Sequence, residues 1–199
     1  RERGEEEVPA NQIGMSREEP TLARKVTLIH ESLSSRRIGH AFGGAMALAY
    51  YGEPRLTIDI DLNVFIAPDG MDTVLDVLGE LGSGTGADPL RAVEDGQARV
   101  WWGRNPIDLF FSYDAFHDAM EGAARTVPFA DGTIRILSPE HLVVCKAVFD
   151  RSKDWSDIEQ IMIGESVLDL GEILGWLQRI LDSGDPRIDR IRKLWDRSR

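Results

Sequence analysis

Two carboxylates stand two residues apart in a segment with the pattern of a β-strand. Polar and apolar residues alternate over residues 57–62, so Asp59 and Asp61 share one face of the predicted strand. The other face, predicted to lie in the core, is formed by Ile58, Ile60 and Leu62. Residues two apart on a strand are separated by about 6.6 Å, which lets both carboxylates reach one or two divalent cations. Because like charges this close repel each other, the pair indicates a site for positive charge.

A third carboxylate lies on a later predicted strand, residues 107–111. Asp108 points away from the predicted core face of that strand, which is formed by Ile107, Leu109 and Phe111. If the two strands are neighbours in a sheet, Asp108 lies beside Asp59 and Asp61. The alternative is an ordinary outward-facing aspartate near a strand end. Because Asp59 and Asp61 are predicted to lie close by, we favour a site shared by all three acids.

A pair of glycines precedes the acidic strand. Residues 38–42 have the pattern of a short strand, Gly43 and Gly44 follow it, and residues 45–50 form a predicted helix ended by Gly52. Backbone N–H groups at a helix start have no partner within the helix, and glycines place no side chain between these groups and a ligand. Gly43 and Gly44 are therefore predicted to seat a phosphate.

A lysine and several aspartates follow a predicted helix start, with Ser138 as the cap and Pro139 at the first helical position. The buried stripe of this helix is predicted to be Leu142, Cys145 and Phe149. Lys146 lies beside that stripe. The acids that fall near the face of Lys146 at helical spacing are Asp150, Asp154 and Asp157. Two interpretations stay open: a functional lysine with supporting acids, or a lysine whose ammonium reaches solvent on a face of ion pairs.

The glycine pair followed by Arg55-x-Thr57-x-Asp59-x-Asp61 resembles the nucleotidyltransferase superfamily that includes DNA polymerase beta. Within it, the pattern is most similar to the AbiE-type and MenT-type branch, toxins of bacterial toxin–antitoxin pairs. Most members have Gly-Ser before the two acids; the serine is absent here, as is usual for this branch, and Thr57 carries the nearest hydroxyl. Lys146, followed by Arg151-x-Lys153-Asp154-x-x-Asp157-Ile158, resembles the later motifs of AbiE-type enzymes. The matching positions span residues 38–162.

The resemblance implies a fold, a reaction and a set of roles. The fold class is α/β (α+β), with a small mixed β-sheet core flanked by helices and a helical C-terminal part. The reaction is transfer of a nucleoside monophosphate (NMP) from a nucleoside triphosphate (NTP) to an acceptor hydroxyl, with Mg²⁺ or Mn²⁺ as cofactor. The implied metal ligands are Asp59, Asp61 and Asp108, the last also as a candidate base. The implied nucleotide-binding residues are Gly43, Gly44, Arg55, Thr57 and Lys146. The implied catalytic residues are Asp59, Asp61, Asp108, Lys146 and Asp157, the last as support for the site.

Three acceptor hypotheses stay open from the sequence. Resemblance to the MenT-type toxins implies the 3′ end of tRNA as acceptor, with a cognate antitoxin protein as partner. A second hypothesis is an aminoglycoside-like small cation, which suits the acidic net charge of −11. A third is a non-catalytic module that binds nucleotide or a partner protein. The complete set of three acids weighs against the third, because a degenerate module would be expected to lose a metal ligand.

Composition and patterning bound the remaining expectations. The acidic net charge counts against broad electrostatic binding of nucleic acid. One basic face near the end of the chain is the candidate RNA contact: Arg187, Arg190, Arg192, Lys193 and Arg197. Cys145 is the only cysteine, which fits a reducing, cytoplasmic location, and no signal or membrane-spanning pattern is present. The predicted organisation is a disordered extension (1–20), a nucleotidyltransferase core (21–137) and a helical C-terminal region (138–199).

Overall fold

A six-stranded mixed sheet and eight helices make up the residues that the computed structural model describes, 19–84 and 96–199. The strands are β1 (His40–Phe42), β2 (Ile60–Val64), β3 (Gln97–Trp102), β4 (Asn105–Phe111), β5 (Arg125–Phe129) and β6 (Gly132–Ile136). The helices are α1 (Leu22–Ser35), α2 (Gly44–Leu48), α3 (Met71–Glu80), α4 (Ala115–Ala123), α5 (Pro139–Phe149), α6 (Ser152–Gly164), α7 (Leu170–Ile180) and α8 (Pro186–Ser198). This architecture confirms the predicted fold class.

The sheet has the strand order β3-β4-β2-β1-β6-β5. The pairs β2–β4 and β1–β6 are parallel, and the other neighbours are antiparallel. The strict alternation of β2 and β4 puts their apolar residues in the core, where Ile60, Leu109 and Phe111 have no exposed surface. The polar residues of the same strands are thereby collected on the opposite face, which carries the candidate site.

The acidic strand begins later than predicted. β2 starts at Ile60, and the preceding residues 53–59 have no regular structure. Ile58, predicted to lie in the core, is 57% exposed. Two side chains are the physical reason: the Thr57 hydroxyl accepts a hydrogen bond from the Asp59 N–H (3.1 Å), and the Asn105 side-chain amide, from β4, donates to the Ile58 carbonyl (2.8 Å). Side chains satisfy backbone groups that a strand would have paired.

A buried lysine, Lys25, helps to hold this irregular segment in place through Asn105. The ammonium of Lys25, on α1, donates to the Trp102 carbonyl (2.6 Å) and to Asn105 Oδ1 (2.7 Å), and also contacts Glu19. Since Asn105 in turn holds Ile58, one chain of hydrogen bonds links α1 through the β3–β4 hairpin to the residue before Asp59. The first helix thus helps to position the first acid.

The predicted helix that joined Lys146 to Asp157 is two helices. α5 has the predicted Ser138 cap and Pro139 start, but it ends at Phe149, and Asp150 adopts a left-handed conformation (φ 55°). The Trp155 Nε1–H donates to the Asp150 carboxylate (2.6 Å), which stabilises the break before α6. Phe149 is 43% exposed and is therefore not part of a buried stripe; α5 is buried on most of its circumference instead.

The core crosses the predicted boundary at residue 137. One apolar cluster contains Ile60 and Leu109 of the sheet together with Ile173 and Ile191 of the last two helices. The division into 21–137 and 138–199 stays a prediction, and residues 1–18 of the predicted extension lie outside the described residues. None of the described helices is both long enough and apolar enough to cross a bilayer.

Candidate active site

Two of the three predicted acids lie side by side on the polar face of the sheet, and the third, Asp59, lies just before the strand. Asp61 of β2 and Asp108 of β4 are direct partners in the parallel register, and Asp59 lies two residues before Asp61. Paired residues on neighbouring strands lie about 5 Å apart. Burial first, and then the charges of Asp108 and Asp59, raise the pKa of the Asp61 carboxyl. The acids are therefore close enough to repel one another.

Arg99 of β3 balances part of this negative charge. It is the antiparallel partner of Asp108, and its guanidinium donates two hydrogen bonds, from Nε to Oδ1 (2.5 Å) and from Nη2 to Oδ2 (2.7 Å). The hydrogen bonds to Asp108 are the first cause of the raised pKa of Arg99. Within residues 19–84 and 96–199, no three Asp, Glu, His or Cys side chains are grouped so as to hold a metal ion. Both oxygens of Asp108 are engaged by the arginine.

The donor set nevertheless fits a divalent cation such as Mg²⁺ or Mn²⁺. Mg²⁺ prefers carboxylate oxygens, and two adjacent aspartates on a rigid sheet supply them. Burial, followed by the charges of Asp108 and Asp59, raises the pKa of Asp61, and the charges of Lys146 and Arg151 offset this only in part. A cation bound between Asp59, Asp61 and Asp108 would relieve this repulsion.

The glycine pair lies against Asp61. The Gly43 N–H donates to the Asp61 carbonyl (2.9 Å), so this N–H is not available to a phosphate, in contrast to the prediction. Gly44 has a positive φ of 51°, and a Cβ atom there would overlap the Asp61 carboxylate. Only glycine lets the start of α2 approach the acid this closely. The phosphate seat stays a prediction, with Gly44 as its first residue.

Substituting Gly44 by Ala is expected to destabilise the protein by about 2 kcal/mol and to displace Asp61. The matched control is Gly122→Ala, in helix α4, where an added Cβ meets no described atom within 4 Å. The control is expected to stabilise the protein by up to about 1 kcal/mol, because alanine is the better helix former. Urea unfolding of both variants measures the difference. Equal stability of the two variants would contradict the close contact between Gly44 and Asp61.

Lys146, Asp157 and Arg55 also come together, from three separate segments. Lys146 Nζ donates to Asp157 Oδ2 (2.5 Å), and Arg55 Nη2 donates to the same oxygen (3.2 Å). Lys146 and Asp157 are each only 4% exposed. Asp154 is fully buried, lies 3.8 Å from the ammonium of Lys146 and pairs with Arg151 (2.6 Å). The interpretation as a solvated face of ion pairs is therefore wrong for Lys146, Asp154 and Asp157.

A cavity of about 170 Å³ opens beside these groups. Gly43, Gly44, Asp61, Lys146 and Arg151 line one part of it. The rest is mainly apolar, with Phe110, Phe116, Met120, Leu142, Phe149 and Ile180 in its wall. Its volume is close to the roughly 150 Å³ that accommodates a benzene ring, so one ring-sized group of a ligand fits.

Sequence reasoning missed two parts of this site. One is the polar group at the cavity wall, where Asp114 Oδ1 lies 2.7 Å from His117 Nδ1 and the Tyr113 and His117 rings are 4.6 Å apart. No local pattern marks these residues. The other is Arg99, which the sequence could have placed: with a two-residue turn at Gly103 and Arg104, counting back along the hairpin sets Arg99 opposite Asp108.

The structure holds Thr57, Arg55, Asp61 and Asp108 in different ways. The Thr57 hydroxyl is engaged by the backbone of Asp59, so its predicted phosphate contact stays a prediction. Arg55 has a 40% exposed side chain and one hydrogen bond to Asp157, which leaves it able to move toward a ligand. Asp61 and Asp108 are fixed by the strands that carry them.

Comparison with known proteins gives no match to a family model and none to a curated protein. Solved structures do match. The antibiotic-resistance factor ANT(2'')-Ia, also solved in complex with adenylyl-2''-tobramycin, has 15% identity over 88% of this chain and 91% of its own, with a TM-score of 0.54. An antigenic nucleotidyltransferase-like protein from Paracoccidioides brasiliensis has 17% identity over 87% and 92%, with a TM-score of 0.53. The lincosamide antibiotic adenylyltransferase LnuA, with lincomycin bound, has 12% identity over 69% and 94%, with a TM-score of 0.52. The chain therefore has the nucleotidyltransferase fold, and its assignment to the AbiE-type and MenT-type branch stays a prediction.

Proposed function

We propose that this protein is a Mg²⁺-dependent nucleotidyltransferase that transfers an NMP from an NTP to an acceptor hydroxyl. The observation that carries this proposal is the pairing of Asp61 with Asp108 on adjacent parallel strands, beside Gly44 and a cavity lined by Lys146. The nucleotidyltransferase fold of the neighbours supports the reaction class. In the reaction, the acceptor oxygen forms a bond to the α-phosphorus of the NTP, and pyrophosphate leaves.

Most of the predicted residues have a role in this reaction. Asp59, Asp61 and Asp108 would hold Mg²⁺ or Mn²⁺, which neutralises phosphate charge and lowers the pKa of the attacking hydroxyl when bound. Asp108 would also accept the proton of that hydroxyl. Lys146 and Arg55 offset the charge of the phosphates, and the buried carboxylate of Asp157 holds both cations on one side of the site. Gly44 keeps the backbone open beside Asp61.

For the acceptor, we propose a small cationic molecule with a ring. The cavity wall beside the acids is mainly apolar and suits a ring, and it also carries the Asp114 carboxylate, which suits a cation. The net charge of −11 favours approach of a cation over a polyanion. That ANT(2'')-Ia was solved with adenylyl-2''-tobramycin, and LnuA with lincomycin, supports an acceptor of this size.

The 3′ end of tRNA is the second candidate acceptor, together with the toxin role and an antitoxin partner. Exposed Lys193 and Arg197 on α8 favour it. Against it, the rest of this basic face is engaged within the protein: Arg187 pairs with Asp185 (2.6 Å), and Arg192 with Asp189 (2.8 Å). The Arg190 guanidinium stacks 4.0 Å from the Trp155 ring.

The test is transfer of label from each α-labelled NTP, with Mg²⁺, to a panel of aminoglycosides and to total tRNA. Label on an aminoglycoside is expected, and label on tRNA alone would select the second acceptor. The label should disappear with EDTA and in Asp59→Asn. It should persist in the control Asp72→Asn, which removes an exposed carboxylate on α3. Tight NTP binding with no label on any acceptor would overturn the proposal and support the non-catalytic module.

A further inference from the structure

Arg99 hydrogen-bonds to both oxygens of a carboxylate that is a predicted metal ligand. Its Nε and Nη2 atoms bond to both carboxylate oxygens of Asp108, at 2.5 and 2.7 Å. Given the metal-dependent transfer proposed above, we infer that Arg99 is an internal latch that holds Asp108 in the metal-free protein and releases it when a divalent cation enters the site. The inference assigns Arg99 a positioning role, since it acts through Asp108.

The geometry makes Arg99 and a metal ion compete. A bidentate guanidinium–carboxylate pair uses both oxygens in one plane and is among the stronger hydrogen-bonded contacts in proteins. A divalent cation shared with Asp61 would bind an oxygen of Asp108, because Asp61 and Asp108 are direct partners in the sheet. Two positive groups at one carboxylate repel each other, so tight binding of the cation weakens the arginine contact.

Burial indicates which partner moves. The Arg99 side chain is 55% exposed, whereas that of Asp108 is 20% exposed. Arg99 lies on β3, at the end of the strand order, while Asp108 lies on β4 between two strands. The long arginine side chain can rotate into solvent once the cation weakens its contact, but Asp108 is held at its position beside Asp61. The latch therefore opens by movement of Arg99 alone.

The latch also explains how the acids are tolerated without metal. Three carboxylates on one face would destabilise the fold through mutual repulsion. Arg99 supplies one positive charge from the neighbouring strand β3, directly opposite Asp108. The cost of this arrangement is a weaker affinity for the metal ion. Removing Arg99 should therefore strengthen metal binding, whereas an arginine that only orients Asp108 for the metal should weaken it when removed.

The test is a titration of the full chain with Mn²⁺ in the absence of nucleotide. The concentration of unbound Mn²⁺ is measured by electron paramagnetic resonance. Arg99→Met is expected to bind Mn²⁺ about three- to tenfold more tightly than the wild type, as loss of one ion pair of this kind implies. Arg99→Lys should be intermediate, because lysine cannot make the two-bond contact. The matched control, Arg104→Met, removes an exposed charge from the turn of the same hairpin and should bind like the wild type.

A second comparison separates the latch from long-range electrostatics. In an Asp108→Asn background, adding Arg99→Met should no longer change Mn²⁺ affinity; a persistent increase would overturn the inference. So would equal or weaker Mn²⁺ binding by Arg99→Met in the wild-type background. If NMP transfer is intact while the affinity is unchanged, only the latch is wrong. If neither the wild type nor Arg99→Met binds Mn²⁺ or transfers NMP, the proposed function fails as well.

Discussion

Replacing Asp61 by Asn is expected to reduce NMP transfer about 10³-fold while leaving the fold intact. The variant keeps the size of the side chain but removes a central charge of the proposed metal site, which lies in register with Asp108. Loss of about 4 kcal/mol of transition-state stabilisation corresponds to a factor of about 10³. The measurement is kcat/KM with labelled NTP at saturating Mg²⁺, with Asp72→Asn as the control. Retention of more than about a tenth of the activity would contradict the role of Asp61.

The same variant should be more stable than the wild type when metal is removed. Because the pKa of Asp61 is raised in the folded protein, its ionised form opposes folding at pH 7. This cost is present above the folded pKa and disappears as the pH falls below the ordinary aspartate value of about 3.9. Thermal unfolding in EDTA at pH 7 should give a higher Tm for Asp61→Asn. Added Mn²⁺ should raise the Tm of the wild type only, and a lower Tm of the variant in EDTA would contradict the repulsion.

Replacing Lys146 by Met is expected to destabilise the protein by about 3–5 kcal/mol. The substitution leaves Asp157 and Asp154 buried without the ammonium that lies 2.5 Å and 3.8 Å from them. Arg55 still contacts Asp157 at 3.2 Å, but its side chain is 40% exposed, so it compensates the buried carboxylate less well than the buried ammonium does. The measurement is urea unfolding at pH 7. A change below about 1 kcal/mol would contradict the buried pair.

A double variant separates the structural role of Lys146 from its role toward the NTP. Lys146→Met with Asp157→Asn removes both charges of the pair and should recover a large part of the lost stability. Transfer activity should not recover if the lysine also offsets triphosphate charge. Full recovery of kcat/KM would show that Lys146 acts only as a partner for Asp157.

Local patterns of the sequence predicted much of the scaffold. The alternation in residues 107–111 correctly placed Asp108 on the face opposite the core, and the Ser138 and Pro139 pair correctly placed the start of α5. Both rest on backbone geometry over a few residues, which neighbouring parts of the chain change little. Prediction failed at Ile58, whose carbonyl accepts a hydrogen bond from the Asn105 side chain, and at Asp150, whose carboxylate accepts one from the Trp155 indole. In each case the deciding partner belongs to another segment or to the next helix.

By itself, the sequence determined the chemical types at the site and the faces of the strands that carry them. Tertiary structure alone decided which atoms meet: that Asp61 and Asp108 are paired in register, and that Asp157 binds both Lys146 and Arg55. The physical reason is range. Periodicity is a property of consecutive residues, whereas strand register and buried ion pairs depend on packing between segments that are tens of residues apart.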